Sequence, residues 1–180
     1  CIVEQTRDAL GNFVTRERVR YSDRFGPDGG GMDFAELEDG VRSAVREYFV
    51  TGIRRPELLN RIGQGNVIVF DFIDPNTASR ILDRAVSNVL TVVEQKHGTR
   101  IQLAPSADQQ LRRLAMNDRT LAMGGRGLNS AVEEFLVNPL SRQLAQSLDD
   151  AGRLPFRAAT ITGLVQAANS RRWDVVLEPR

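Results

Sequence analysis

The sequence predicts an α+β fold that is mainly helical and contains a small sheet. Apolar residues recur at helical spacing over residues 76–97, and three strand-like runs follow at 100–103, 159–165 and 173–177. Helical and strand patterns do not alternate regularly here, which argues against a doubly wound sheet. The chain has 180 residues, of which 41% are apolar and 26% charged, so it can bury an ordinary globular core.

The first part of the chain combines one polar segment with two predicted helices and one predicted strand. Residues 1–31 are polar and charged and predict loop-like structure, with disorder as an alternative, and their final glycine run predicts a hinge or a surface loop. Residues 33–50 predict a helix capped by an aspartate, and 56–62 predict a short helix begun by a proline. The β-branched and aromatic run 66–72 predicts a buried strand.

The second part carries the longest helical pattern, and a glycine directly after it favours helix termination. A serine, an alanine and an aspartate then start another helix, and a glycine pair precedes the last one. The predicted elements, in order, are a helix at 76–97 closed by Gly98, a strand at 100–103, helices at 106–116 and 126–148, and strands at 159–165 and 173–177.

Composition argues against several kinds of site. The formal net charge is +1, so no overall field favours nucleic acid or a membrane surface. Cys1 is the single cysteine, which rules out an intramolecular disulfide and fits a reducing cytoplasm. His97 is the single histidine, so a metal site has little support. No apolar run reaches the roughly 18 residues of a membrane-spanning helix, and no signal peptide is predicted.

Two segments resemble the Clp-type AAA+ ATPases. Residues 55–62 read Arg-Pro-Glu-Leu-Leu-Asn-Arg-Ile and are followed by Val-Ile-Val-Phe at 67–70, a pattern similar to the end of the large subdomain in that family. Gly125-Arg126 stands where the family carries Gly-Ala-Arg-Pro-Leu, and Asn138-Pro139-Leu140 is similar to the start of its next helix. The resemblance covers about residues 33–180.

The resemblance implies two domains and two phosphate-contacting arginines. Residues 1–73 would be the C-terminal remnant of an α/β large subdomain, and 74–180 the small C-terminal lid domain. Arg61 matches the arginine finger, the catalytic residue that reaches the γ-phosphate held by a neighbouring subunit. Arg126 matches sensor 2, which contacts nucleotide within its own subunit. A planar, permanently charged guanidinium suits both tasks because it matches phosphate oxygens.

The chain departs from the family at two positions and lacks part of its machinery. Gly63 replaces a usual acidic residue, and Gly127 replaces a usual proline, which predicts a looser start of the helix. No Gly-x-x-x-x-Gly-Lys-Ser/Thr occurs, the only lysine is Lys96 at a helix end, and no apolar strand ends in paired acids for Mg²⁺. We expect a piece of a longer protein that does not hydrolyse ATP by itself.

The expected function is that of an ATP-dependent AAA+ chaperone or unfoldase, to which this chain contributes the finger, the sensor and a ring-assembly surface. The expected cofactor is ATP, with Mg²⁺ held by an upstream part, and this chain itself is expected to hold no metal. Neighbouring subunits of a cytoplasmic ring, a hexamer by the resemblance, and a polypeptide substrate are the expected partners.

Two other functions stay open. The first is an oligomerisation or adaptor module that derives from such a lid and does not hydrolyse ATP. The second is a small nucleic-acid-binding α+β domain, although the cluster Arg171-Arg172-Trp173 is too small to count as evidence for it, so neither nucleic acid nor a membrane is an expected partner.

Overall fold

The computed structural model describes residues 2–7, 13–26, 31–168, 170 and 172–180. The chain divides into two compact units, Cys1–Asp74 and Pro75–Arg180. Helices predominate among the described residues, and the second unit contains a three-stranded sheet. The predicted mainly helical α+β fold is therefore confirmed.

The first unit contains two paired antiparallel strands, β1 (Ile2–Arg7) and β2 (Phe13–Val19). The loop-like structure predicted for residues 1–31 is therefore wrong for these two ranges. Both strands contain β-branched residues, and a main-chain ladder can form between polar segments because its hydrogen bonds involve only the backbone. Most of the predicted glycine hinge, residues 27–30, lies outside the described part of the chain.

The short helix α1 (Tyr21–Arg24) is tied to the segment just before the end of this unit. The Tyr21 hydroxyl donates to the Ile73 carbonyl at 3.0 Å, and the Arg24 guanidinium binds both carboxylate oxygens of Asp71 at 3.0 and 2.7 Å. This bidentate hydrogen bonding by Asp71 raises the pKa of Arg24 above its ordinary value. The contacts hold residues 71–73 against α1.

Helix α2 (Phe34–Glu47) begins as predicted. The Ala35 N–H donates to the Asp33 carboxylate at 3.2 Å, and the Asp33 N–H donates to the Glu36 carboxylate at 3.3 Å, which forms a capping box. The helix continues as a π-helical turn over Tyr48–Gly52, so the helix predicted for 33–50 is confirmed. The next helix, α3 (Pro56–Ile62), is confirmed as well.

The buried strand predicted for 66–72 is wrong. A 3₁₀ turn occupies Gln64–Asn66, and residues 67–74 form no helix or strand. Val67 has extended backbone angles, with φ −80° and ψ 104°, but Ile68 is 74% exposed and Phe70 86% exposed. The β-branched and aromatic residues of this run favour an extended backbone. A strand also requires a partner strand, and none of the described residues supplies one.

The second unit follows the predicted order closely. Gly98, with φ 64°, ends the long helix, which confirms the predicted stop. Its helices are α4 (Pro75–His97), α5 (Pro105–Ala115), α6 (Asp118–Ala122), α7 (Gly124–Val132) and α8 (Asn138–Ser147). Its strands are β3 (Arg100–Leu103), β4 (Ala158–Gln166) and β5 (Trp173–Pro179).

Helix α7 runs into α8 through a π-helical turn over Glu133–Val137. Pro139 is the second residue after this turn, and because proline has no N–H to donate to a preceding carbonyl, the wider turn is the expected accommodation. The single helix predicted for 126–148 is thus confirmed with one irregular turn. Helix α6 was not predicted; its N-terminal end is capped by the Asn117 side chain, which accepts from the Thr120 N–H at 3.0 Å.

The sheet has the order β3-β4-β5, with β3 parallel and β5 antiparallel to the central strand β4. Ile161 of β4 lies opposite Leu103 and Leu177, and it is fully buried. The helices pack against this face, and the buried core is formed by Leu82, Ile101, Ala107, Leu111, Ala115, Ala131, Val132, Leu136, Leu140, Leu144, Ile161, Leu164 and Val175.

Helix α5 supports an irregularity in the central strand. The register of β4 against β5 shifts between Ile161 and Gly163. The Ser106 hydroxyl donates to the Thr162 carbonyl at 2.9 Å, and the Leu164 N–H donates to the Gln110 side-chain oxygen at 2.8 Å. Two polar side chains of α5 thus satisfy main-chain groups at and next to the irregularity.

Arg112 joins α5 to α4. Its guanidinium donates to Asp108 at 2.8 Å, to the Ser79 hydroxyl at 2.8 Å and to the Asp83 carboxylate. Hydrogen bonding to Asp108, then to Asp83, raises the pKa of Arg112 above its ordinary value.

We expect Arg112→Ala to lower the free energy of unfolding by about 1–2 kcal/mol, because one substitution removes three charge-assisted contacts on a half-exposed side chain. Urea denaturation followed by Trp173 fluorescence measures the loss, since this only tryptophan packs against the core of the second unit. Arg113→Ala is the control, because Arg113 is the next residue in the sequence and its side chain is exposed. Equal losses for both variants would contradict the role of Arg112.

Candidate functional site: two exposed arginines at helix ends

Helix α3 positions Arg61. Pro56 occupies the first turn, where its missing N–H needs no partner, and Glu57 adds a favourable negative charge there. Leu59 is the buried anchor of the helix at 4% exposure. Arg61 lies in the last turn and is exposed.

The Arg61 guanidinium has no hydrogen-bond or ion-pair partner within the described part of the chain. Arg24 and Arg112, in contrast, are held by carboxylates. Beside it on the same helix, Leu58 is 39% exposed and Ile62 is 45% exposed. A free cation next to exposed apolar side chains can bind an anionic group outside this unit.

The C-terminal end of α3 is closed by three hydrogen bonds. The Gly63 N–H donates to the Leu59 carbonyl at 2.9 Å. The Asn66 side-chain amide donates to the Ile62 carbonyl at 2.6 Å, and the Asn66 main-chain N–H donates to the Gly63 carbonyl at 3.0 Å. These bonds satisfy carbonyl groups that a helix end leaves without partners. Asn66 was not predicted as a functional residue, although an asparagine shortly after a helix end is a recognisable capping signal.

The glycine at position 63 has a structural reason. Its φ is 81°, a conformation that side-chain-bearing residues rarely adopt, and an added Cβ would lie 3.2 Å from the Asn66 amide nitrogen. The acidic residue that Clp-type proteins usually carry here would be strained in this backbone. The departure from the family pattern is therefore tied to the way in which α3 ends.

Helix α7 positions Arg126. Gly124 begins the helix with φ 63°, and Arg126, the third residue, is exposed. No side chain caps this helix start, and its first turn contains no acidic residue. Arg126 has no hydrogen-bond or ion-pair partner among the residues that the structure describes. Main-chain N–H groups and a guanidinium next to one another are suited to an anionic group such as phosphate.

Gly127 makes a close contact that only glycine allows. A Cβ built on it would lie 2.2 Å from the Thr120 carbonyl oxygen and 2.8 Å from the Met123 Cβ. The looser helix start predicted from the missing proline stays a prediction. The backbone of α7 packs directly against α6, and this contact holds the turn that carries Arg126.

Arg61 and Arg126 belong to different compact units, and their assignments as finger and sensor stay predictions. Among the described residues, no group of three or more histidine, cysteine, aspartate or glutamate side chains could hold a metal ion. His97 is exposed at the C-terminal end of α4, where the helix dipole favours a cation. Across the same described residues, none of the helices is both long and apolar enough to cross a membrane.

A comparison with protein-family models and with curated proteins finds no match to this chain. The similarity to Clp-type AAA+ proteins rests on the quoted residues, their spacing and their order.

Proposed function

We propose that this chain is the C-terminal part of a Clp-type AAA+ ATPase and combines the end of its large subdomain with its lid domain. The observation that carries the proposal is the state of Arg61. It lies within the Arg-Pro-Glu-Leu-Leu-Asn-Arg-Ile run, on the last turn of a capped helix, exposed and without a partner among the described residues. Its place in this run distinguishes Arg61 from other exposed arginines such as Arg113 and Arg119.

In this proposal Arg61 acts on ATP bound by a neighbouring subunit. The guanidinium offsets negative charge that develops on the γ-phosphoryl group during its transfer to water. Mg²⁺ and the β- and γ-phosphates are held by upstream motifs that these 180 residues do not contain. In this proposal the chain by itself does not form a complete nucleotide-binding site and does not hydrolyse ATP.

Arg126 would contact nucleotide bound in its own subunit. It projects from the first turn of α7, whose free N–H groups favour an anion. The tight α6–α7 contact at Gly127 couples this turn to the second unit. A change in the phosphate that Arg126 contacts would therefore move the whole lid domain rather than one loop.

Exposed apolar side chains support contact with neighbouring subunits. Single exposed apolar residues are ordinary, whereas a contiguous exposed apolar patch marks an interaction surface. The exposed large apolar residues of the stretch from 48 to 70 are Tyr48, Val50, Ile53, Leu58, Ile62, Ile68 and Phe70. We propose ring assembly, into a hexamer by the family resemblance, in the cytoplasm and around a polypeptide substrate.

The same exposed residues favour one alternative, an oligomerisation or adaptor module that has lost ATP hydrolysis. Both functions need a subunit interface, but only the ATPase needs the Arg61 charge. The deciding experiment is steady-state ATP turnover by the complete protein that contains this chain, with Arg61 replaced by alanine. Turnover that is present in the wild type and lost in the variant supports the ATPase with Arg61 as its finger. A wild-type protein without turnover supports the adaptor, and unchanged turnover in the variant removes the finger assignment.

We expect Arg126→Ala to weaken ATP binding by the complete protein about 10-fold, since a hydrogen bond to a charged group contributes roughly 1.5–3 kcal/mol. Isothermal titration with ATP and ADP measures the effect, and ATP should be affected more if Arg126 contacts the γ-phosphate. Arg119→Ala is the matched control, an exposed arginine on the adjacent helix α6. An equal loss in both variants would indicate a general charge effect and exclude a specific contact by Arg126.

A further inference from the structure

The end of helix α3 depends on a residue outside the Arg-Pro-Glu-Leu-Leu-Asn-Arg-Ile run. α3 has only seven residues, and helices this short are marginal without support from the rest of the structure. Its single buried side chain, Leu59, anchors the middle of the helix and not its end. Arg61 lies in the last turn, where helices fray first. The position of the Arg61 backbone therefore depends on how this end is closed.

Asn66 closes it through both its side chain and its backbone. The side-chain amide donates to the Ile62 carbonyl at 2.6 Å, and Ile62 is the residue directly after Arg61. The main-chain N–H of Asn66 donates to the Gly63 carbonyl at 3.0 Å and so holds the turn that brings the amide back to the helix. Gly63 permits this turn because its φ of 81° is accessible to glycine.

We propose that Asn66 is a positioning residue for Arg61. Its amide keeps the last turn of α3 helical, so that the backbone of Arg61, and with it the guanidinium, stays in one position. This inference rests on the proposed role of Arg61 as the finger. Because a displacement of about 1 Å at a reacting group can cost about 10²-fold in rate, an open last turn would slow turnover without removing any phosphate contact.

The site allows a clean substitution. Asn66 is exposed, so a change of its side chain removes little buried surface. Asn66→Asp keeps the shape but has no N–H to donate, and its negative charge lies against the carbonyl end of a helix. Asn66→Gln keeps the amide on a longer side chain. Asn88→Asp is the control, because it makes the same charge change at an exposed position of α4.

Two measurements on the complete protein test the proposal. Hydrogen exchange of the peptide covering 56–66 should accelerate roughly 3- to 10-fold in Asn66→Asp, as expected for the loss of one hydrogen bond. ATP turnover should fall about 10-fold in kcat, with KM and ring assembly unchanged, since position and not binding is lost. Asn66→Gln should recover part of kcat, and Asn88→Asp should change neither measurement.

A double variant tests whether Asn66 acts through Arg61. Asn66→Asp in the Arg61→Ala background should give no further loss of turnover, because a positioning residue has nothing left to position. An additional loss of the same size would overturn the proposal. Equal losses in Asn66→Asp and Asn66→Gln would also overturn it, since the amide would then not be the cause.

The remaining outcomes separate this inference from the proposed function. Faster exchange with unchanged kcat, while Arg61→Ala abolishes turnover, would make Asn66 a helix cap only and leave the ATPase function intact. Unchanged exchange would show that the amide does not hold the turn. If Arg61→Ala leaves turnover unchanged, the finger and the positioning role fail together.

Discussion

Replacement of Arg61 by alanine is expected to lower ATP turnover of the complete protein by about 10³-fold, within the range that an arginine finger contributes. ATP binding and ring assembly should be retained, because the side chain has no partner among the described residues and its removal breaks no described contact. Steady-state hydrolysis, nucleotide titration and sedimentation measure the three properties. Arg113→Ala, a substitution of an exposed arginine on α5, is the control and should keep full turnover.

A mixing experiment tests whether Arg61 acts on the neighbour's nucleotide. Subunits with Arg61→Ala retain their own nucleotide site, and subunits whose phosphate-binding lysine has been replaced retain Arg61. Mixed rings contain interfaces that combine an intact site with an intact finger, so partial activity should return although each variant alone is inactive. Failure of mixed rings to recover any turnover would contradict action between subunits. Full activity of Arg61→Ala alone would remove the finger assignment.

We expect Gly127→Ala to lower the free energy of unfolding of the second unit by about 2–3 kcal/mol, in the upper range for overpacked positions. The added Cβ would meet the Thr120 carbonyl oxygen at 2.2 Å, and main-chain atoms cannot turn aside as a flexible side chain can. Urea denaturation followed by the fluorescence of Trp173, which packs edge-to-face on Phe135 at 5.4 Å, measures the change.

Gly163→Ala is the matched control for this substitution. Its Cβ would meet the Gln110 side-chain oxygen at 3.7 Å and a Val176 methyl group at 3.9 Å, both ordinary contact distances. We expect its stability to change by no more than about 0.5 kcal/mol, as for substitutions that break no special feature. A Gly127→Ala variant as stable as this control would show that α6 can move away from α7. The turn that carries Arg126 would then be less firmly held than the contact indicates.

Most helices and the strands of the second unit could be predicted because their signals are local. The Asp33 cap, the proline at position 56 and the positive-φ glycine at position 98 act through the backbone within a few residues. The spacing of apolar residues in α4 also depends only on the helical repeat. These features predicted where elements begin and end and which face of each element is apolar.

The site was predictable to a smaller extent. The sequence motif selects Arg61 and Arg126, but only the structure shows that both side chains are exposed and lack described partners. The role of Asn66 depends on a turn that brings its amide back to Ile62, and this turn follows from the φ of Gly63. The φ angle of Gly63 cannot be predicted from the spacing of residues along the chain.

By itself, the sequence determined the mainly helical α+β class, the order of elements after residue 74 apart from α6, and the two arginines that carry the family resemblance. Only the tertiary structure decided that 67–70 forms no strand and exposes Ile68 and Phe70, that 2–7 pairs with 13–19 and that Gly127 lies against the Thr120 carbonyl. The physical reason is that caps and periodicity are properties of consecutive residues. Strand pairing and close packing instead depend on which distant segments meet.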